Sequence, residues 1–227
     1  MPVAVIPFRP VNPKTRLSGL LSQAEREAFA RAMLADVIDA VRAGGLDPLV
    51  LSTHPYDCPG VQVRVVPGGL SDALNTLLPT IGGPVLVIMA DLPLVTPEAV
   101  RRIAGSGADV AIAPGRGGGT NAINIRDTGR FRVDYYEISV AKHLAIAKTA
   151  GLSVEVVDSF RLYLDLDEEE DLVDLLIHGE GQARSYLESL GICLLATRGR
   201  VCLERRPGPA ETDVVLRPGK VTGAAGR

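Results

Sequence analysis

Tryptophan is absent from the 227 residues, and the other aromatic side chains are four Phe and five Tyr. Stacking platforms for single-stranded nucleic acid need several aromatic faces, so that partner is not expected. Cysteine is scarce too: Cys58, Cys193 and Cys202 are odd in number and far apart. This argues against a disulfide framework or a paired-cysteine zinc site and suits a reducing cytoplasm. Neither sign of charge is in excess, with 24 Lys and Arg against 27 Asp and Glu. Without a global basic field a nucleic-acid polymer is not an expected partner, and a small anion held by local groups is. No apolar run reaches the roughly 18 to 20 residues that span a bilayer, and no charged segment followed by an apolar stretch opens the chain. No membrane or secretory segment is expected, and no internal repeat is visible. The length still allows a core to form without disulfides or structural metal.

The chain alternates between strand-like and helix-like stretches. Val3 to Phe8, Leu49 to Ser52, Val61 to Val66, Val85 to Met89, Asp109 to Pro114, Val154 to Val157 and Phe160 to Leu164 read as strands. Between them, Ser22 and Glu25 form a capping-box signature. Phe29, Met33 and Val37, with Leu34, Ile38 and Val41, follow at helical spacing as far as Gly44 and Gly45. Further helices are predicted over Ala73 to Leu78, from Thr96 onward, and over Ser139 to Gly151, Glu168 to Ile177 and Gln182 to Leu190. This order predicts an α/β fold with a mostly parallel, Rossmann-like sheet flanked by helices. One domain is expected over residues 1–206. It would close on a hairpin of Ile192 to Ala196 and Val201 to Glu204, turned by Arg198 and Gly199. That hairpin could pair across a homodimer. Residues 207–227, richer in Pro and Gly, read as a loosely held tail with a short strand at Val214 to Leu216.

The candidate chemistry starts at Asp91. It follows the buried run of Val85 to Met89, and Pro93 cannot donate to a sheet ladder, so the carboxylate is left at a strand's carboxyl end. Ligands bind in the crevice beyond such ends, and a carboxylate there suits a divalent metal, although Asp also caps ordinary turns. Arg9, Lys14 and Arg16 lie in the loop after the first strand, placed to hold phosphates unless the loop is merely a wet basic surface. Gly115 to Asn121 reads as a glycine-rich loop that lets a ligand approach the backbone, with Thr120 and Asn121 supplying hydrogen bonds. Ser139 is expected at a helix N-cap, where the amides, Ser139 and Lys142 would favour an anion. His143 reads as structural or catalytic. Asp165 and Asp167 alternate and so face the same way if extended. Two such carboxylates repel unless a cation joins them, although an acidic helix start would account for Glu168 to Glu170.

In order and spacing, IPFRPVNPKTRL, ADLPL, APGRGGGTNAI, SVAKH and LDLDEEEDL resemble the 2-phospho-L-lactate guanylyltransferase family of deazaflavin coenzyme biosynthesis, over residues 3 to 178. Molybdenum cofactor guanylyltransferases differ in carrying a LAGG-type loop after strand one, which is missing here. The resemblance implies a single nucleotide-diphospho-sugar-transferase-like domain. It also implies GTP and 2-phospho-L-lactate as substrates, lactyl diphosphoguanosine and pyrophosphate as products, and Mg²⁺ as cofactor. By position, Asp91, Asp165 and Asp167 match metal-binding aspartates, and Thr120 and Ser139 match residues holding the phosphorylated three-carbon acid. The turn at Gly69, Leu70, Ser71 and Ala73 corresponds to the base-reading region. Three positions depart from the family: Arg9 stands for a usual Lys, Tyr136 for a frequent Gly and Ser71 for a usual Asn. Phosphoenolpyruvate as acceptor, a cytidylyl or molybdenum cofactor-type transfer, and a non-catalytic nucleotide-binding domain are the alternatives.

Overall fold

The structure, a computed structural model, describes residues 1–197, 200–206, 208 and 215–216. Seven strands form the main sheet in the order β3-β2-β1-β4-β6-β5-β7. They are β1 (Val3–Phe8), β2 (Asp47–Ser52), β3 (Gln62–Val65), β4 (Val85–Ile88), β5 (Val110–Pro114), β6 (Thr120–Ile125) and β7 (Val154–Val156). All neighbours pair in parallel except β6, which runs antiparallel to both β4 and β5.

The near-continuous apolar runs of β1 and β4 are explained by burial on both faces. Ala4, Ile6 and Phe8, with Leu86 and Ile88, enter one core cluster, while Val5, Val85 and Val87 enter the other. The first face is covered by α1 (Gln23–Ala43), α3 (Pro97–Ala104), α6 (Asp171–His178) and α7 (Gln182–Ser189), and the second by α2 (Leu70–Ile81) and α4 (Ser139–Thr149).

The α1 capping box is present: the Ser22 hydroxyl accepts from the Glu25 amide and the Glu25 carboxylate from the Ser22 amide. The same carboxylate accepts from Arg205 at 2.5 Å, and that hydrogen bond, with the one from Ser22, pulls its pKa down to about 2. Arg205 belongs to β9 (Arg200–Arg205), which pairs antiparallel with β8 (Ile192–Thr197). A clamp of charge-assisted bonds thus docks the expected hairpin on the start of α1. The Arg198–Gly199 turn lies outside the described residues, as does the expected tail apart from Gly208 and β10 (Val215–Leu216), which runs parallel to β8.

Two expectations are corrected. The stretch after Pro114 is a hairpin turn whose last two expected loop residues, Thr120 and Asn121, begin the buried strand β6. Phe160 to Leu164 is not a strand but a helical turn, α5 (Phe160–Tyr163), which drops Leu162 into the core. Because β2 flanks β1 on one side and β4 on the other, the sheet has its switch point at the carboxyl ends of β1 and β4, where a crevice opens.

Candidate active site

A cavity of about 520 Å³ occupies that crevice and spans the sheet ends from β3 to β4. Leu51, Thr53, Val66, Leu70 and Ala73 line it from the β2, β3 and α2 side; Lys14, Asp91 and Asp167 line it from the β4 side, and Arg9 opens onto it. Of the expected base-reading turn, Leu70 and Ala73 reach the cavity. Ser71 is otherwise engaged: its hydroxyl accepts from the Tyr135 amide at 2.8 Å. Gly69 is closely approached by the Tyr136 hydroxyl, so a side chain at residue 69 would collide with it.

The loop after β1 takes an unusual path, with Asn12 at φ 46° and Lys14 at φ 51°, a region that L residues with side chains rarely adopt. Arg26 holds it there. Its guanidinium donates to the Pro13 carbonyl at 3.2 Å, the Leu21 carbonyl at 3.0 Å and Asn12 Oδ1 at 2.9 Å. Arg26 is buried without an ion pair among the described residues. It is also a residue that sequence reasoning missed, although a cation in line with Phe29, Ala30 and Met33 on the buried stripe of α1 is the available signal. Arg26→Leu is expected to leave these acceptors unmatched, costing about 2 kcal/mol of stability, and to raise the KM for nucleotide several-fold. Melting and steady-state kinetics check this, and unchanged nucleotide KM would detach Arg26 from the site.

Lys14 turns inward. Its ammonium donates to Asp91 Oδ2 at 2.6 Å and to Asp167 Oδ1 at 2.7 Å. Burial alone would depress its pKa, but the two adjacent carboxylates outweigh burial and hold it above the ordinary value. Arg16 is exposed and lies 3.4 Å from Glu168. Of the three expected phosphate-binding cations, Arg9 opens onto the cavity while Lys14 sits among the acids that line it.

The acids are gathered by their neighbours. Asp171 was missed in the sequence. Its Oδ2 accepts from the Asp167 and Glu168 amides at 2.9 and 2.8 Å, and its Oδ1 accepts from Arg116 at 2.9 Å. Asn121 spends its amide on the Leu162 and Tyr163 carbonyls and on Asp165 Oδ1, so it shapes the acidic segment. Burial raises the Asp165 pKa, and the charge of Asp91 adds to the shift. Among the described residues no three His, Cys, Asp or Glu side chains converge as a finished cation cage. The donor set nevertheless fits a hard cation: Asp91 Oδ1 is buried without a hydrogen-bond partner, and its neighbours are carboxylates.

On the opposite side of β6, Thr120, Ser139 and His143 form one buried cluster. Thr120 Oγ1 is 2.9 Å from His143 Nδ1 and 3.2 Å from Ser139 Oγ. Ser139 is not the N-cap; Ile138 is, and Ser139 opens the first turn of α4 with its hydroxyl turned to Thr120. Lys142 is ion-paired with Asp134 at 3.3 Å and Glu137 at 3.4 Å.

Burial pushes the His143 imidazole down to about 4, against a partial upward pull from Asp134. The unfolded chain takes up a proton near 6.5 that the folded chain refuses. The resulting stability is fully present above pH 6.5 and is lost as pH falls toward 4, about 3 kcal/mol in all. Melting between pH 7 and 4 should therefore fall less steeply in His143→Gln than in wild type, and equal slopes would refute the assignment.

Comparison with known proteins agrees with this geometry. The family described as Guanylyl transferase CofC like matches residues 2–205. A 2-phospho-L-lactate guanylyltransferase of Methanosphaerula palustris is 57% identical over 204 residues, covering 90% of this chain and 98% of that protein. One of Methanoregula boonei is 54% identical over 211 residues, covering 92% and 99%. A crystal structure from Desulfovibrio desulfuricans, described as a candidate nucleotide-diphospho-sugar transferase, shares the fold with a TM-score of 0.68 and 18% identity. It covers 82% of this chain and 94% of that one. A family match across nine-tenths of the residues, together with a carboxylate-lined crevice at the switch point, settles the kinship: the chain belongs to the CofC-like guanylyltransferase family.

Proposed function

We propose that the protein transfers GMP from GTP to 2-phospho-L-lactate, forming lactyl diphosphoguanosine and releasing pyrophosphate. The observation that carries this reading is the 57% identity to a relative of that name over 98% of its length. The cavity between the ends of β3 and β4 supports it, since its apolar side suits a base and sugar and its charged side suits phosphates. The names of the relatives favour 2-phospho-L-lactate over phosphoenolpyruvate as acceptor.

In this reaction a phosphate oxygen of the acceptor attacks the α-phosphorus of GTP, and the bond to the β-phosphate oxygen breaks to free pyrophosphate. The attacking oxygen is already ionised, so no general base is required. The protein's task is to bring two anions together and neutralise them. Arg9, at the cavity mouth, and Lys14, inside it, are assigned to the phosphates, with the exposed Arg16 behind them. Asp91, Asp165 and Asp167 would hold Mg²⁺, which when bound supplies positive charge to the phosphate oxygens. Asn121 and Asp171 fix the segment that carries two of these acids. The acceptor is assigned to the Thr120 and Ser139 hydroxyls, with Lys142 close by and already paired to Asp134 and Glu137. A cytoplasmic setting completes the proposal, and no helix among the described residues is long and apolar enough to cross a membrane.

Mass spectrometry of products from GTP, CTP and ATP with 2-phospho-L-lactate and with phosphoenolpyruvate tests the reading. Lactyl diphosphoguanosine should dominate. A preference for another nucleotide or for phosphoenolpyruvate would overturn it.

A further inference from the structure

The two hydroxyls assigned to the acceptor are governed by a group so far given no part in the reaction. His143 Nε2 lies 2.9 Å from the Asp134 backbone nitrogen, which can only donate, so Nε2 carries no proton. In the neutral ring the proton is then on Nδ1, and Nδ1 donates to Thr120 Oγ1 across 2.9 Å. Thr120 and Ser139 bring two hydroxyl protons between them. Their oxygens are 3.2 Å apart, so one proton lies between them whichever oxygen donates, and the other is left over. In the opposite tautomer Thr120 would donate to Nδ1 and Ser139 to Thr120, and nothing would be left. No other acceptor is hydrogen-bonded to either hydroxyl among the described residues, although Thr120 is 3%, Ser139 2% and His143 0% exposed. A buried hydroxyl proton without a partner is a donor waiting for an acceptor.

We propose that His143 is a positioning residue: held as the Nδ1-protonated tautomer by the Asp134 amide, it leaves the Thr120–Ser139 pair one proton to give to an anionic oxygen of the acceptor. The inference rests on the reading that this pair belongs to the acceptor site. It explains why the imidazole is anchored at both nitrogens: a pair showing lone pairs would repel a carboxylate or phosphate, and a pair with a spare proton binds one.

Two variants separate this role from packing. His143→Asn puts an amide where Nδ1 stood and keeps a donor for Thr120. His143→Asp puts a carboxylate there, which only accepts: Thr120 then donates to it and Ser139 to Thr120, and no proton is left over. With GTP and 2-phospho-L-lactate, His143→Asp is expected to raise the KM for the acid about tenfold or more, the worth of one hydrogen bond to a charged group. The KM for GTP and kcat should stay nearly constant, and His143→Asn should remain close to wild type. Equal losses in both variants, or an equal rise in both KM values, would overturn the inference while wild-type turnover upholds the functional reading. ¹⁵N NMR of the substrate-free wild type should show protonated Nδ1 and bare Nε2, and the opposite tautomer would overturn the inference without touching the function. A wild type that makes no product with 2-phospho-L-lactate would overturn the functional reading, and with it the acceptor's place beside this pair.

Discussion

Asp91→Asn is expected to lower kcat by about 10³, equivalent to about 4 kcal/mol of transition-state stabilisation, while the melting temperature at pH 7 stays close to wild type. The asymmetry comes from where the residue sits. Asp91 leaves the end of β4 after the core-filling residues Leu86 and Ile88, so its carboxylate contributes nothing to packing. One oxygen is paired with Lys14 and the other is buried without a partner, an arrangement that folding alone does not call for. Asparagine keeps the shape and an acceptor for Lys14 but removes the charge on which a hard cation depends. The measurement is turnover at saturating Mg²⁺ and both substrates, beside a melting curve. Activity within tenfold of wild type would remove Asp91 from the chemistry, and a collapsed melt would make it a structural residue.

In the parallel part of the sheet β1, β2 and β4 were legible because they are largely buried and apolar, while the short edge strands β3 and β7 are mostly exposed and were marked by their valines. β6 was not legible. The glycines before it made Thr120 and Asn121 read as the end of a loop, and its two asparagines hide the strand that follows. In the fold both are satisfied inside: Asn121 on the carbonyls of α5 and on Asp165, and Asn124 on the Ala104 carbonyl. Phe160 to Leu164 fails in the other direction. Its apolar residues alternate like a strand, yet tertiary packing selects a helical turn with only Leu162 fully inside. Ser139 shows how local chemistry was overread. A serine before an apolar run suggests an N-cap, but three residues on stands Lys142, the wrong sign for a capping box, and the hydroxyl is spent on Thr120.

The site was legible as a place more than as a set of bonds. The ends of β1 and β4 and the LDLD segment were marked by charge beside apolar strands, and the fold brings Lys14, Asp91 and Asp167 into contact. Sequence could not say which partner each polar group would choose, because those choices join residues 77 and 153 positions apart. It gave Lys14 to phosphate without showing the two carboxylates that its ammonium bonds, and it gave Ser71 to the base, whereas that hydroxyl binds the Tyr135 amide. The struts Arg26 and Asp171 were missed because their bonds close only in the fold: Arg26 holds the loop at Asn12 and Pro13, and Asp171 ties the Asp167 and Glu168 amides to Arg116, 55 positions away.

Lys14→Met is expected to lower turnover by about 10³, since a cation inside the phosphate cavity is lost, and to change how the protein responds to metal. In the structure the Lys14 ammonium is the counter-charge of Asp91 and Asp167. Its side chain is 10% exposed and theirs are 26% and 46%, so solvent screens the pairs in part. Removing it leaves carboxylates facing one another, and the variant should melt lower in EDTA, by about 1 to 2 kcal/mol of stability. Mg²⁺ should then matter more to it than to wild type. In wild type a cation entering the acidic cluster must displace an ammonium already bonded to two of the acids; in the variant nothing stands in its way. Linkage makes the gain about 2.7 kcal/mol when free metal is a hundred times its dissociation constant, so a tighter site reaches that gain at lower Mg²⁺. Melting should be followed against Mg²⁺, with and without GTP, in wild type, Lys14→Met and Asp165→Asn/Asp167→Asn. The variant lacking Lys14 should respond at the lowest Mg²⁺ and the double variant should barely respond. If all three respond alike, the acids around Lys14 do not hold the metal, and the ammonium between Asp91 and Asp167 is a structural ion pair.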